Sequence, residues 1–141
     1  MKNKKQLYKK CLDLAKTVAK ERDWYTCQWC GSKSNIQWSH IINEARDHRL
    51  AIDSENIIAL CYHCHLWLWH KDPILAAKRF NSKFPWKYNK LQKQHIKNGT
   101  LWSISILFYE EQLEKLNQEL LKFKQPLKWR FEKQRTTKAH K

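Results

Sequence analysis

Four of the five cysteines in this 141-residue chain fall into two CxxC pairs, Cys27–Cys30 and Cys61–Cys64. No other feature limits the fold as strongly. Zinc takes four ligands in a tetrahedron, and thiolates suit a site that only holds structure. Two knuckles supply that set. The stretch "CQWCG" adds a small residue after the first knuckle, as tight knuckles favour. A four-cysteine zinc site is therefore expected. His63, inside the second knuckle, is a weaker competing ligand, and reduced core cysteines are the alternative reading. Four thiolates leave no position for water, so this zinc is expected to staple the chain on either side of residues 31–60 rather than do chemistry.

The metal reading needs reduced thiols. The N-terminal "MKNKKQLYKK" is basic and no apolar stretch follows it, so no signal peptide is expected. The longest apolar runs, "LWLW" and "ILFY", are too short to span a bilayer. A cytoplasmic protein is expected, with its cysteines kept as thiols. Lys and Arg number 28 against 13 Asp and Glu, a net charge of +15. That excess points to a polyanionic partner, nucleic acid ahead of a membrane surface.

The length fits one domain. Its parts are a basic N-terminal helix (1–23), a core (24–72), a helical part (73–125) and a basic tail (126–141). Leu7, Cys11, Leu14, Ala15 and Val18 recur at helical spacing over 5–22, with Cys11 an ordinary buried thiol. "NIQWSHII" reads as a strand and "RLAI" as a second short strand or extended segment, joined by the polar "NEARDH". After Asn56 the pattern turns helical through "CYHCHLWLWHK", and Pro73 interrupts it. Short helices are expected over 74–81 and 86–97. The strongest helix covers 103–123, where Ile106, Tyr109, Leu113, Leu116, Leu120 and Phe123 form an a/d seam. That seam packs on the chain's own core or on a second copy in a homodimer. The fold class is α+β, mostly α.

Between and just after the knuckles lie His40 in "WSHI", Asn56, and His65 directly after Cys64. This order, CxxC…H…N…CxxCH, resembles the HNH endonucleases of the ββα-metal (His-Me finger) superfamily, phage-borne members most of all. The resemblance covers residues 24–70. It implies a zinc-stapled ββα-metal core and metal-dependent hydrolysis of DNA. His40 would be the general base, Asn56 would fix the loop or orient the histidine, and His65 would bind a catalytic divalent ion, Mg²⁺ or Mn²⁺ first. The chemistry suits these residue types, because a neutral imidazole near pH 7 can take a water's proton. The ion would polarise the phosphate and stabilise the departing oxygen.

Ser39 departs from the pattern, since many members carry Asp or His there as a second metal ligand. His70 is the nearest substitute, but five positions on an α-helix rotate it about 140° away from His65. Asp47, His48 and Asp53 are weaker candidates. The departure keeps an alternative open, a catalytically idle zinc-stabilised nucleic-acid-binding module. Arg46 and Arg49 follow His40 and suit phosphate. Lys87, Lys128 and Arg130 lie beside Trp86, Tyr88, Trp129 and Phe131, a mixture that can grip a backbone and stack on bases. DNA, branched or nicked, is the expected partner, with RNA as an alternative substrate.

Overall fold

The structure, a computed structural model, describes residues 3–99 and 103–124. The tail 126–141, with Lys128 and Arg130, lies outside the described residues. What is described is mostly helical, with one two-stranded sheet. Among the described residues, no helix is long and apolar enough to cross a membrane.

Helix α1 (Lys4–Arg22) is capped by the Asn3 side chain, which accepts from the Gln6 N–H at 2.8 Å. Its buried stripe of Leu7, Cys11, Ala15 and Val18 packs on α6 (Ile106–Phe123). Tyr109 and Leu116 of α6 are buried there, and Leu113, Leu120 and Phe123 pack against the same cluster. The a/d seam is thus covered by α1 within the chain, while Ile106 at its start stays exposed. Full burial of a large aliphatic side chain contributes about 1.5–3 kcal/mol, so α1 and α6 form a core of their own. Ile52 and Ile57 complete it.

A second core lies around the sheet. Strand β1 (Ile36–His40) pairs antiparallel with β2 (Ile57–Cys61), from Ile36 opposite Cys61 to His40 opposite Ile57. Every residue of β2 is buried. Ile57 belongs to the α1/α6 core, whereas Ile58 and Leu60 belong to the second, with Phe80 of α4 (Pro73–Lys83) and Leu91 of α5 (Pro85–Asn98). The strand is the wall between the two cores.

Its outer edge is covered by the end of α1 and the first knuckle. Asp23 accepts from the Ala59 N–H at 2.9 Å, and the Ala59 carbonyl accepts from the Gln28 N–H at 3.0 Å. Asp23 is buried, and Arg22 forks onto both its oxygens at 2.9 and 3.0 Å. Arg22 also donates to the Ser54 carbonyl at 2.8 Å. A buried carboxylate matched this fully satisfies an exposed strand edge instead of leaving it to another chain. Just beyond, Trp24 and Tyr25 both sit in the left-handed region, at φ 58° and 50°, and turn the chain into the knuckle. Each costs about 1–2 kcal/mol.

Two expectations are corrected. "RLAI" is not a strand: residues His48–Ala51 form a one-turn helix, α2, because the Asp47 carboxylate caps it, accepting from the Arg49 and Leu50 N–H groups at 3.0 and 2.9 Å. The second strand is Ile57–Cys61, and the helical pattern begins only at α3 (Tyr62–Cys64). Helix α3 runs into a π-helical segment, His65–His70, which Asp72 and Pro73 follow as cap and first residue of α4.

Candidate metal centre and the loop between the knuckles

The Sγ atoms of Cys27, Cys30, Cys61 and Cys64 all lie within 4.8 Å of one another. Those of Cys30 and Cys61 are 3.6 Å apart. Four sulfurs about 2.3 Å from a tetrahedral ion stand about 3.8 Å from each other, so the cluster can hold a metal ion. Each knuckle turns a backbone N–H onto its first sulfur, Cys30 to Cys27 and Cys64 to Cys61, both at 3.4 Å. Gly31 supplies the positive φ of 80° that closes the first knuckle. Burial pushes the Cys27 thiol up. Hydrogen bonds from the backbone of Cys30, Cys61 and Trp29 outweigh it and bring the thiol down to about 6. Burial and hydrogen bonds within the cluster push Cys64 well above the ordinary thiol range. His63 stays outside the cluster, exposed, with its ring 5.9 Å from that of Trp67.

The loop between the strands is tied down by Asn56, which is fully buried. Its Oδ1 accepts from the Ile42 N–H at 2.7 Å, and its Nδ2 donates to the Ile42 and Leu50 carbonyls at 3.0 and 3.1 Å. The Asn56 carbonyl accepts from the Ile41 N–H at 2.8 Å. One side chain thus anchors both ends of the segment that leaves His40 and returns through α2. At the end of that segment the Ala51 carbonyl meets His40 Nε2 at 2.9 Å. A carbonyl only accepts, so Nε2 carries the proton and Nδ1 of a neutral His40 is the free lone pair.

Side chains alternate along a strand, so Gln37 and Ser39 share one face of β1 and Trp38 and His40 the other. Ser39 is buried. His65 is tied to the Gln37 side: its Nδ1 donates to Gln37 Oε1 at 2.7 Å. Its Nε2 lies 3.0 Å from His70 Nε2. The structure therefore joins His40 to Asn56 through the loop, and His65 to Gln37 and His70, as two separate groups. Burial, then the neighbouring His70, lowers the His65 pKa.

Of the basic residues expected at phosphate, Arg46 is exposed and Arg49 half-buried. Both line a cavity of about 710 Å³ together with Asp47, His95 and Asn98. Arg49 lies 5.2 Å from the Phe108 ring, and its buried Nε has no hydrogen-bond partner among the described residues. Asp47 is buried in the cavity wall. Burial pushes its carboxyl up, but His95 at 2.9 Å, the Leu50 N–H and Asn98 outweigh that and hold it below the usual carboxylate range. Lys87 is half-buried near Arg22, Asp23, Asp53 and Glu55, and burial, followed by the Arg22 charge, lowers its pKa.

Sequence reasoning missed Gln37, Ala51 and Asp23. Only Asp23 carried a signal, as an acid next to an arginine at a helix end. Comparison with known proteins adds nothing to the geometry: no family model, no curated protein and no solved structure matches this chain.

Proposed function

We propose that the chain is a zinc-stapled HNH endonuclease that hydrolyses DNA phosphodiester bonds with the help of a divalent metal ion. The observation that carries the proposal is the hold on His40. Its Nε2–H donates to the Ala51 carbonyl, in a loop pinned by buried Asn56, so that Nδ1 is free to act as base. The order of cysteines, His40, Asn56 and His65 that resembles the HNH family supports the same roles.

In this reading Nδ1 of His40 takes the proton of a water that attacks the phosphorus. The Ala51 carbonyl then stabilises the imidazolium through the proton on Nε2. Asn56 does no chemistry; it fixes the two backbone segments that set the base's position. His65 holds the divalent ion, which would polarise the scissile phosphate and stabilise the leaving 3′ oxygen. Products with 5′-phosphate and 3′-hydroxyl ends follow from the resemblance. The four-cysteine cluster holds a structural zinc, because four thiolates close the coordination sphere. The net charge of +15, with Arg46 and Arg49 beside the loop, supplies phosphate contacts whose strength falls steeply with salt.

The test is nicking of supercoiled plasmid across Mg²⁺, Mn²⁺, Ni²⁺ and Co²⁺, with His40→Ala purified in parallel. Nicking by the wild type alone supports the reading. Equal nicking by both proteins sinks His40 as the base. One observation favours a second reading, an idle binding module: Ser39 offers only a buried neutral hydroxyl where a metal ligand is wanted. Tight DNA binding without cleavage, on branched substrates as well as duplex, would establish it.

A further inference from the structure

We infer that His65 and His70 together form a two-imidazole site for a borderline divalent cation of the Mn²⁺, Co²⁺, Ni²⁺ or Zn²⁺ kind, with Gln37 holding His65 in the ligating tautomer. The argument starts from the helix register. In an α-helix the fifth residue on lies about 140° around the axis. Residues 65–70 are a π-helix, and the Lys71 N–H donates to the Leu66 carbonyl, five residues back, at 3.2 Å. With about 4.4 residues per turn, five positions come round to within about 50°. The wide turn therefore delivers His70 to His65, as the ring centroids 4.6 Å apart show.

The nitrogen separation is informative. Two ligands about 2.1 Å from one ion stand about 3.0 Å apart on a cis edge of an octahedron, and about 3.4 Å apart on a tetrahedron. The two Nε2 atoms are 3.0 Å apart, in a hydrogen bond whose donor is His70 Nε2–H, and an ion would take the place of that proton. The tautomer is also set. Because Gln37 Oε1 accepts from His65 Nδ1, the lone pair of His65 is on Nε2, facing His70. A ligating histidine generally donates its other N–H to such an oxygen, which fixes the ring and raises its basicity. His70 is exposed, so an ion reaches the pair from solvent.

Two imidazoles select against Mg²⁺, which demands oxygen ligands, and favour the borderline ions. The pair also answers the gap at Ser39, because the second ligand comes from the π-turn rather than from β1. Binding of the ion stands on this geometry alone. Only its use in hydrolysis rests on the endonuclease reading.

The experiment is calorimetric titration of zinc-loaded protein with Ni²⁺, its zinc content measured before and after to show that the cysteine site is untouched. The wild type should bind a single Ni²⁺ per chain. His70→Ala, at an exposed position, should weaken binding at least 10-fold, and Gln37→Ala, which keeps both imidazoles, about 10-fold. Wild-type affinity in His70→Ala overturns the inference, as does binding that survives in the His65→Ala/His70→Ala double variant. The two readings fail separately. Ni²⁺ binding lost in His70→Ala, in a protein that nicks nothing, sinks the endonuclease and keeps the site. Nicking that depends on His40, with Ni²⁺ binding indifferent to His70, sinks the site and keeps the endonuclease.

Discussion

Replacing Asn56 by Asp changes one NH₂ group into one oxygen at constant shape. In the wild type that NH₂ donates to the Ile42 and Leu50 carbonyls, while Oδ1 accepts from the Ile42 N–H. Asn56 is fully buried, and Ile42 and Leu50 are 5% and 2% exposed, so water does not compete. An ionised Asp would set a negative oxygen against two carbonyl oxygens. A protonated one would donate to one of them. Burial and the two acceptors both favour the neutral acid, and together they raise its pKa by about 3 units. At about 1.36 kcal/mol per unit this costs the variant about 4 kcal/mol near pH 7. The sign follows by linkage. Between the unfolded carboxyl at about 3.9 and the raised native value, the folded state binds more protons, so stability falls as pH rises. Urea unfolding of both proteins, followed by tryptophan fluorescence between about pH 5 and 7.5, should show a gap that widens by up to about 1.4 kcal/mol per pH unit and then levels. A gap that stays constant over that range would mean that the amide is not held between the two carbonyls. The anchoring of the His40 loop would fall with it.

Two further outcomes follow from the cysteines. Chelation, or Cys64→Ser, should remove a single zinc per chain and melt the core around β2, because structural zinc sites contribute about 10–16 kcal/mol and domains are stable by only about 5–15. Loss of protection in β1 and β2 by hydrogen exchange reads this directly, and unchanged protection refutes it. Cys11, buried and donating to the Tyr109 carbonyl at 3.4 Å, has its thiol pushed up to about 11 by burial. It should resist iodoacetamide at pH 8 until the chain unfolds. Stability should also fall as pH rises from the ordinary thiol value of about 8.5 toward 11, since the native state alone keeps the proton in that window.

The fold was legible where one face of an element is wet. Strand β1 lies in a stretch of β-branched and aromatic residues, and the seam of α6 steps by three and four, so both could be read directly. Strand β2 could not. "IIALC" serves two cores, one on each face, so no polar residue marks its period, and a short buried strand then looks like part of a helix. The error at "RLAI" is different in kind. Asp47 is a visible capping residue, but a one-turn helix is too short to leave a helical period.

The site divides in the same way. The four-cysteine cluster could be read because chemistry and spacing reside in the same two CxxC pairs. The partners that set the histidines could not, since the Ala51 carbonyl is backbone and Gln37 lies 28 residues from His65. His70 is the instructive case. Counting on an α-helix turns it away from His65, and that count is sound for an α-helix. What overrides it is a change of one residue in the hydrogen-bond register, from four back to five, over "HLWLWH". Such a turn is less well packed along its axis than an α-turn, and it is found where a side chain must be re-aimed. Here the re-aimed side chain is a second imidazole, placed beside the first and opposite a strand whose position 39 offers only a hydroxyl. In the proposed two-imidazole site the wide turn after α3 would bring in the second metal ligand, where position 39 of β1 offers only a hydroxyl.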